Sequence, residues 1–126
     1  MSIHHALLAI ASFLSIGSAA SAADPVIVPT LICRGSFLVP ITLSPREGYA
    51  ADRTLWFLHD TGASSSYVDP DSIERVSGIR LGPRDRANIG DARAGPVAIN
   101  RLQARVSELD HLARALGHPI DGILSF

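Results

Sequence analysis

One short segment of the sequence combines residue types that suit acid–base chemistry: Asp60, Thr61, Gly62, Ala63 and Ser64. The glycine two positions after the aspartate lets backbone N–H groups approach the carboxylate closely, because no Cβ intervenes. The threonine hydroxyl can hydrogen-bond to a neighbouring backbone group and so lock the loop. The segment therefore predicts a carboxylate held in a fixed position, as catalysis requires.

The elements on both sides of this segment are expected to hold it in place. Residues 55–58 are Leu-Trp-Phe-Leu, a continuous apolar run typical of a strand buried on both faces. Residues 66–68 predict a second, shorter strand. A brief helix is predicted next, with Asp69 as its N-cap, Pro70 at its first position and Gly78 in the left-handed conformation just after its end.

The other segments predict a small, mostly β domain with one or two short helices. Residues 26–43 predict short strands around a turn at residues 34–35, since apolar runs there are interrupted by proline and glycine. Residues 88–96 contain two glycines and predict a hairpin tip, and residues 97–106 predict a strand after it. Residues 110–116 predict one or two helical turns.

Length and composition predict one globular domain. The chain has 126 residues, which suffice for one domain and not for two. A net charge of −1 gives no support for nucleic acid or an anionic membrane as a partner. Cys33 is the only cysteine, so an internal disulfide is excluded. The cysteine is interpreted as a small apolar residue of a strand.

The first 22 residues predict a signal peptide. Residues 6–20 are almost entirely apolar or small, yet too few to cross a bilayer as a mature helix. Residues 20–22 are Ala-Ser-Ala, a pattern that signal peptidase accepts, and a proline follows at position 25. We therefore expect an exported protein, periplasmic or secreted, without a stable membrane span after cleavage. The alternative is that this stretch forms an N-terminal helix of the domain.

Two segments resemble a known family. Residues 55–66, Leu-Trp-Phe-Leu-His-Asp-Thr-Gly-Ala-Ser-Ser-Ser, are similar to the active-site loop of retropepsin-like aspartic peptidases, including bacterial exported members. A later segment resembles the apolar strand that runs beside and supports that loop in the same family: Ile120, Asp121, Gly122, Ile123 and Leu124. The resemblance implies that residues 23–126 form a closed β domain, equivalent to half of an acid protease.

The resemblance also implies roles for individual residues. Asp60 would be the catalytic acid and base, and Thr61 would make the hydrogen bonds that join two active-site loops. The family's glycine-containing substrate flap corresponds to the region of Ile89, Gly90 and Gly95. The implied activity is aspartic-type endopeptidase activity on a peptide or protein substrate, without a cofactor.

This chemistry requires two aspartates that share a proton. The sequence contains a single Asp-Thr-Gly motif and no second Asp-x-Gly with suitable flanks. The second carboxylate is therefore expected from another copy of the chain. We predict a symmetric homodimer with its active site on the two-fold axis.

Three positions depart from the family pattern. His59 stands before Asp60, where an apolar residue is usual, and we expect its side chain to face away from the site. Ser125 occupies a position where glycine is common. Family members continue past the position of Phe126, so we hypothesise that the C-terminal part of the domain is missing. Such a truncation would bear on both dimerisation and activity.

The enzyme hypothesis has three alternatives. The main alternative is a catalytically inactive or truncated relative that binds peptides or a protein partner. A metal site would draw on His59, Asp60, His111 and His118, but their spacing matches no metal-binding motif, so none is expected. A serine hydrolase using residues 64–66 lacks the Gly-x-Ser-x-Gly motif.

Overall fold

A computed structural model describes residues 24–125, so the predicted signal peptide lies outside the described residues. Seven strands and two helices follow one another along this part of the chain. They are β1 (Leu31–Cys33), β2 (Ser36–Leu43), β3 (Thr54–His59), β4 (Tyr67–Val68), α1 (Pro70–Ser77), β5 (Arg86–Ala94), β6 (Val97–Val106), α2 (Asp110–Leu116) and β7 (Gly122–Leu124).

The strands form one sheet that closes on itself. Their order is β1-β2-β3-β7-β4-β6-β5, and β5 also pairs with β2 through Thr42 with Arg93 and Leu43 with Ala92. Six strands therefore make a barrel, while β1 lies outside the ring and pairs with β2 alone. The β3–β7 and β4–β6 pairs are parallel, and the others are antiparallel. This confirms the prediction of a closed, mostly β domain with one or two short helices, and the described residues contain two.

The interior of the barrel is filled by side chains that alternate along its strands. In β5 and β6 the inward positions carry small or branched residues, and the outward positions are polar or charged. Phe57 in β3 is fully buried and is the largest side chain of this core. It belongs to one core cluster to which all six barrel strands and helix α1 contribute, and which includes Ile41, Leu43, Leu55, Val68, Val76, Ile89, Leu102, Val106 and Leu124.

Helix α1 has the boundaries that its sequence predicts. Asp69 accepts hydrogen bonds from the backbone N–H groups of Asp71 and Ser72. Gly78 adopts a φ of 74°, and its N–H donates to the carbonyl of Glu74. Both helix ends are thus satisfied by residues within the segment itself, which is why the local pattern was sufficient.

Helix α2 packs against the hairpin formed by β1 and β2. The Cys33 thiol donates to the carbonyl of Leu116 at 3.4 Å, and Arg34 donates to the carbonyl of Ala115 at 2.7 Å. These two contacts satisfy carbonyl groups at the end of the helix, which have no partner within it. Neither helix of residues 24–125 has the length and apolar character that crossing a membrane requires.

The predicted hairpin tip at residues 88–96 is wrong in its extent. Strand β5 continues to Ala94, and the chain turns only at Gly95 and Pro96. Gly90 instead lies at an irregularity of the β5–β6 register, with a φ of 83°. Glycine is favoured both at a β-bulge and in a turn, because both positions require a positive φ. The sequence alone therefore does not distinguish a bulge from a turn at Gly90.

Candidate active site

Asp60 begins the loop that connects β3 to β4. Its side chain is half-buried, whereas Thr61 and Gly62 are exposed. The carboxylate oxygen Oδ1 accepts a hydrogen bond from the Gly62 N–H at 2.9 Å, and the Ala63 N–H donates to the Asp60 carbonyl at 3.3 Å. The loop therefore folds back on its own first residue and fixes the orientation of the carboxylate.

The end of the chain supports this loop from beside it. Strand β7 runs parallel to β3, so that Leu124 lies opposite His59. The Asp60 N–H donates to the Leu124 carbonyl at 3.1 Å. The next residue, Ser125, donates its N–H to the Ser66 hydroxyl at 3.0 Å and its own hydroxyl to the Ala63 carbonyl at 2.5 Å. Leu124 thus binds the start of the loop at Asp60, and Ser125 binds its middle at Ala63 and its end at Ser66. The side chain of Ser125 is part of this support.

Asp121 is buried just before β7 and joins several parts of the fold. Its carboxylate accepts from the Trp56 N–H at 2.7 Å, from the Ser72 hydroxyl at 2.6 Å and from Arg75 at 3.3 Å. Its carbonyl accepts from the Asp69 N–H at 2.8 Å. The sequence placed Asp121 only in a supporting strand. Its contacts show a structural carboxylate that links β3, β7 and helix α1.

Replacing Asp121 with asparagine is expected to destabilise the fold by about 2–3 kcal/mol, because every group facing the carboxylate is a donor. The new amide NH₂ must point at one of those donors and leave it without an acceptor. Thermal unfolding followed by circular dichroism should show a melting temperature lower by roughly 10 °C. Asp110→Asn, at an exposed position of α2, is the control. Equal melting temperatures for the two variants would contradict a structural role for Asp121.

A largely apolar cavity of about 410 Å³ lies beside the loop. His59 and Leu124 line it together with Ala94 and Val97, which flank the β5–β6 turn. Its remaining lining residues are Val28, Thr30, Phe37, Val39 and Ile99. His59 thus faces this cavity from the end of β3.

The three flap candidates lie in different surroundings. Ile89 is buried in the barrel core, and Gly90 forms the bulge of β5. Gly95 lies at the hairpin turn, where a methyl group on its Cα would approach Cδ of Pro29 to 2.6 Å. The turn therefore packs against the N-terminal segment, and of the three candidates only Gly95 occupies the tip.

The histidines considered for a metal site are not grouped. His118 packs edge-on against Trp56, with ring centroids 4.9 Å apart, and His111 is exposed on α2. Within residues 24–125, no three side chains of histidine, cysteine, aspartate or glutamate are close enough to hold a metal ion.

Comparison with known proteins finds similarity in structure but not in sequence. No protein-family model matches the sequence, and no curated protein matches it. Among solved structures, the chain is similar to a retropepsin-like aspartic protease from Rickettsia conorii, with 15% sequence identity and a TM-score of 0.48. The aligned part covers 79% of this chain and 75% of that one. This similarity concerns the path of the backbone and assigns no role to a side chain.

Proposed function

We propose that this chain is one subunit of an aspartic-type endopeptidase, in which Asp60 and the Asp60 of a second copy act on one water molecule. The setting of the carboxylate is the observation that carries the proposal. Its Oδ1 atom accepts the Gly62 N–H at 2.9 Å, while its Oδ2 atom has no hydrogen-bond partner within residues 24–125. One oxygen therefore fixes the orientation, and the other is available for proton transfer.

Two such carboxyl groups would share one proton. The ionised group takes a proton from water while the water oxygen attacks the peptide carbonyl carbon. The protonated group gives its proton to the carbonyl oxygen. Collapse of the tetrahedral intermediate then breaks the C–N bond. The carboxyl group that took the proton from water gives it to the departing nitrogen, and the other carboxylate takes a proton from a hydroxyl group of the intermediate. This scheme requires no cofactor.

A second copy is part of the proposal, because the sequence has one Asp-Thr-Gly motif. Thr61 and Gly62 are exposed on the loop, and the Thr61 hydroxyl has no partner among the described residues. The Thr61 hydroxyl is therefore available for a hydrogen bond to a neighbouring copy across a two-fold axis. We further propose that the signal peptide directs the precursor chain to the periplasm or out of the cell, where the mature homodimer cleaves peptides or proteins.

A mixing experiment tests whether two copies build one site. Wild-type chain and Asp60→Asn chain are refolded together at equal concentrations, and hydrolysis of a fluorogenic peptide is measured. If each dimer needs both aspartates, random pairing leaves about a quarter of the activity of wild-type chain at the same total concentration. Mixing wild-type chain with Asp110→Asn chain is the control, and it should retain full activity.

Activity of about one half in the first mixture would mean that each chain works alone. Absence of hydrolysis by wild-type chain, with retained binding of a pepstatin-type inhibitor or a peptide, would favour the alternative of a binding module. Either result would overturn the proposed shared site.

A further inference from the structure

Three arginines form a basic patch on the outer face of the barrel: Arg84, Arg86 and Arg105. Two adjoining shallow pockets of about 370 and 260 Å³ share Arg86 and Arg105 in their walls. Hydroxyl groups lie among these arginines, since the same pockets are lined by Ser65, Ser66, Tyr67 and Ser107. Guanidinium and hydroxyl groups together suit the recognition of an anion.

The charges of the patch are not neutralised within the chain. Arg86 and Arg105 are directly opposite each other on β5 and β6, an arrangement of like charges that destabilises a sheet. Among residues 24–125, none of the three guanidinium groups has a hydrogen bond or an ion pair. The nearby Asp85 carboxylate accepts the Gly82 N–H at 2.6 Å and belongs to that turn. With three cations and one anion, the pockets keep a charge of +2.

Strand register connects this patch with the candidate active site. A continuous row of paired residues crosses four neighbouring strand pairs, in the order Leu58, Ile123, Tyr67, Arg105 and Arg86. Paired residues present their side chains on the same face of a sheet. Helix α2 covers the start of this row, because Leu58 and Ile123 pack against the apolar cluster to which the helix contributes. Arg105 and Arg86 are exposed, so the open part of the row lies between the end of the Asp60 loop and the basic patch.

The contact between the loop and β6 keeps this arrangement fixed. The Arg105 N–H donates to the Ser66 carbonyl at 2.9 Å, and Ser66 is also held by Ser125. The smaller pocket therefore has walls both from the patch and from residues 65–66, at the end of the loop that carries Asp60.

We propose that the basic patch binds an acidic side chain of the polypeptide substrate, aspartate or glutamate, on one side of the bond that is cleaved. This inference rests on the proposed function and adds a substrate class to it. The charge of the patch selects a carboxylate, and the pocket wall that residues 65–66 share with the patch places that carboxylate beside the loop that carries Asp60. A phosphorylated side chain would present the same chemistry, whereas free phosphate would lack the attached peptide.

A positional scan tests whether the carboxylate has one fixed place in the substrate. A fluorogenic peptide with one fixed cleavage site is made as a series in which a single aspartate replaces asparagine at each position up to eight residues away on either side. We expect kcat/KM to rise about fivefold when the aspartate stands at one position, or at two neighbouring positions, on one side of the cleaved bond only. An equal effect at every position, or no effect at all, would overturn the proposal.

Two double variants test the residues. Arg86→Gln with Arg105→Gln should abolish the preference for aspartate while keeping the cleavage of the asparagine peptide. Arg101→Gln with Arg114→Gln removes the same number of charges at exposed positions outside both pockets and should keep the preference. Raising the salt concentration from about 0.05 M to about 0.5 M should also abolish the preference for aspartate, because salt screens the attraction between exposed charges. Persistence of the preference in the first double variant would contradict the assignment.

A binding measurement separates this inference from the proposed catalysis. Full-length Asp60→Asn chain is titrated with the fluorescent aspartate peptide, its asparagine counterpart, inorganic phosphate and a single-stranded oligonucleotide. Tighter binding of the aspartate peptide, lost with Arg86→Gln and Arg105→Gln, supports the patch even if no hydrolysis is found. Equal binding of both peptides, or preferred binding of the oligonucleotide, overturns it even if hydrolysis is found.

Discussion

Replacing Asp60 with asparagine is expected to reduce peptide hydrolysis by at least about a thousandfold while leaving the melting temperature nearly unchanged. The asparagine amide oxygen can still accept the Gly62 N–H, which Asp60 accepts at 2.9 Å. The backbone bond to Leu124 is also independent of the side chain. Loop geometry is therefore preserved, but an amide cannot take a proton from water or return one to the substrate.

The measurement is the initial rate of cleavage of a denatured protein or a fluorogenic peptide, with circular dichroism as the test of folding. Asp110→Asn makes the same chemical change at an exposed position of α2 and should keep the wild-type rate. A folded Asp60→Asn chain with undiminished turnover would show that hydrolysis does not depend on this carboxylate, and it would overturn the role proposed for Asp60.

The sequence was most informative where an element is completed by its own residues. Helix α1 is capped by Asp69 before its first residue and by Gly78 after its last, through hydrogen bonds between residues at most four positions apart. The run at residues 55–58 predicted a strand, and β3 occupies it. Such features leave a local pattern, because the groups that satisfy one another are neighbours in the chain.

Contacts between distant residues left no comparable pattern. The Asp121 carboxylate meets Trp56 and Ser72, which are 65 and 49 positions away. An aspartate in the otherwise apolar residues 120–124 was the one signal that could have indicated a buried polar contact, since a buried carboxylate needs donors. The support given by Ser125 leaves no local pattern for the same reason, because the sequence shows this serine only as a departure from the usual glycine.

The basic patch could not be predicted from the net charge of the chain either. The whole chain carries −1, which gave no reason to expect an anionic partner. Arg86 and Arg105 are 19 positions apart, and only the pairing of β5 with β6 brings them opposite each other. Local charge depends on register, and register depends on the turn at Gly95 and the bulge at Gly90, which the sequence did not separate.

Replacing Gly122 with alanine is expected to lower the free energy of unfolding by at least about 3 kcal/mol. A methyl group on its Cα would lie 2.2 Å from Cε1 of Phe57 and 2.6 Å from Cδ1. Phe57 is fully buried and pairs with Gly122 across β3 and β7, so its ring has no free space to enter. The strands must separate or the core must shift, and both changes withdraw the Leu124 carbonyl that holds Asp60.

Urea unfolding of three variants distinguishes this steric cause from a general intolerance of β7 or of glycine replacement. Gly82→Ala makes the same change where the nearest atoms belong to the flexible Asp85 side chain, at 3.3 Å, and should cost less than about 1 kcal/mol. Gly122→Ala combined with Phe57→Leu should be more stable than the sum of the two single effects predicts, because the smaller side chain vacates the space that the methyl group needs. Strict additivity of the two changes would mean that Phe57 does not oppose a side chain at position 122, and the coupling of core packing to the Asp60 loop would then lose its basis.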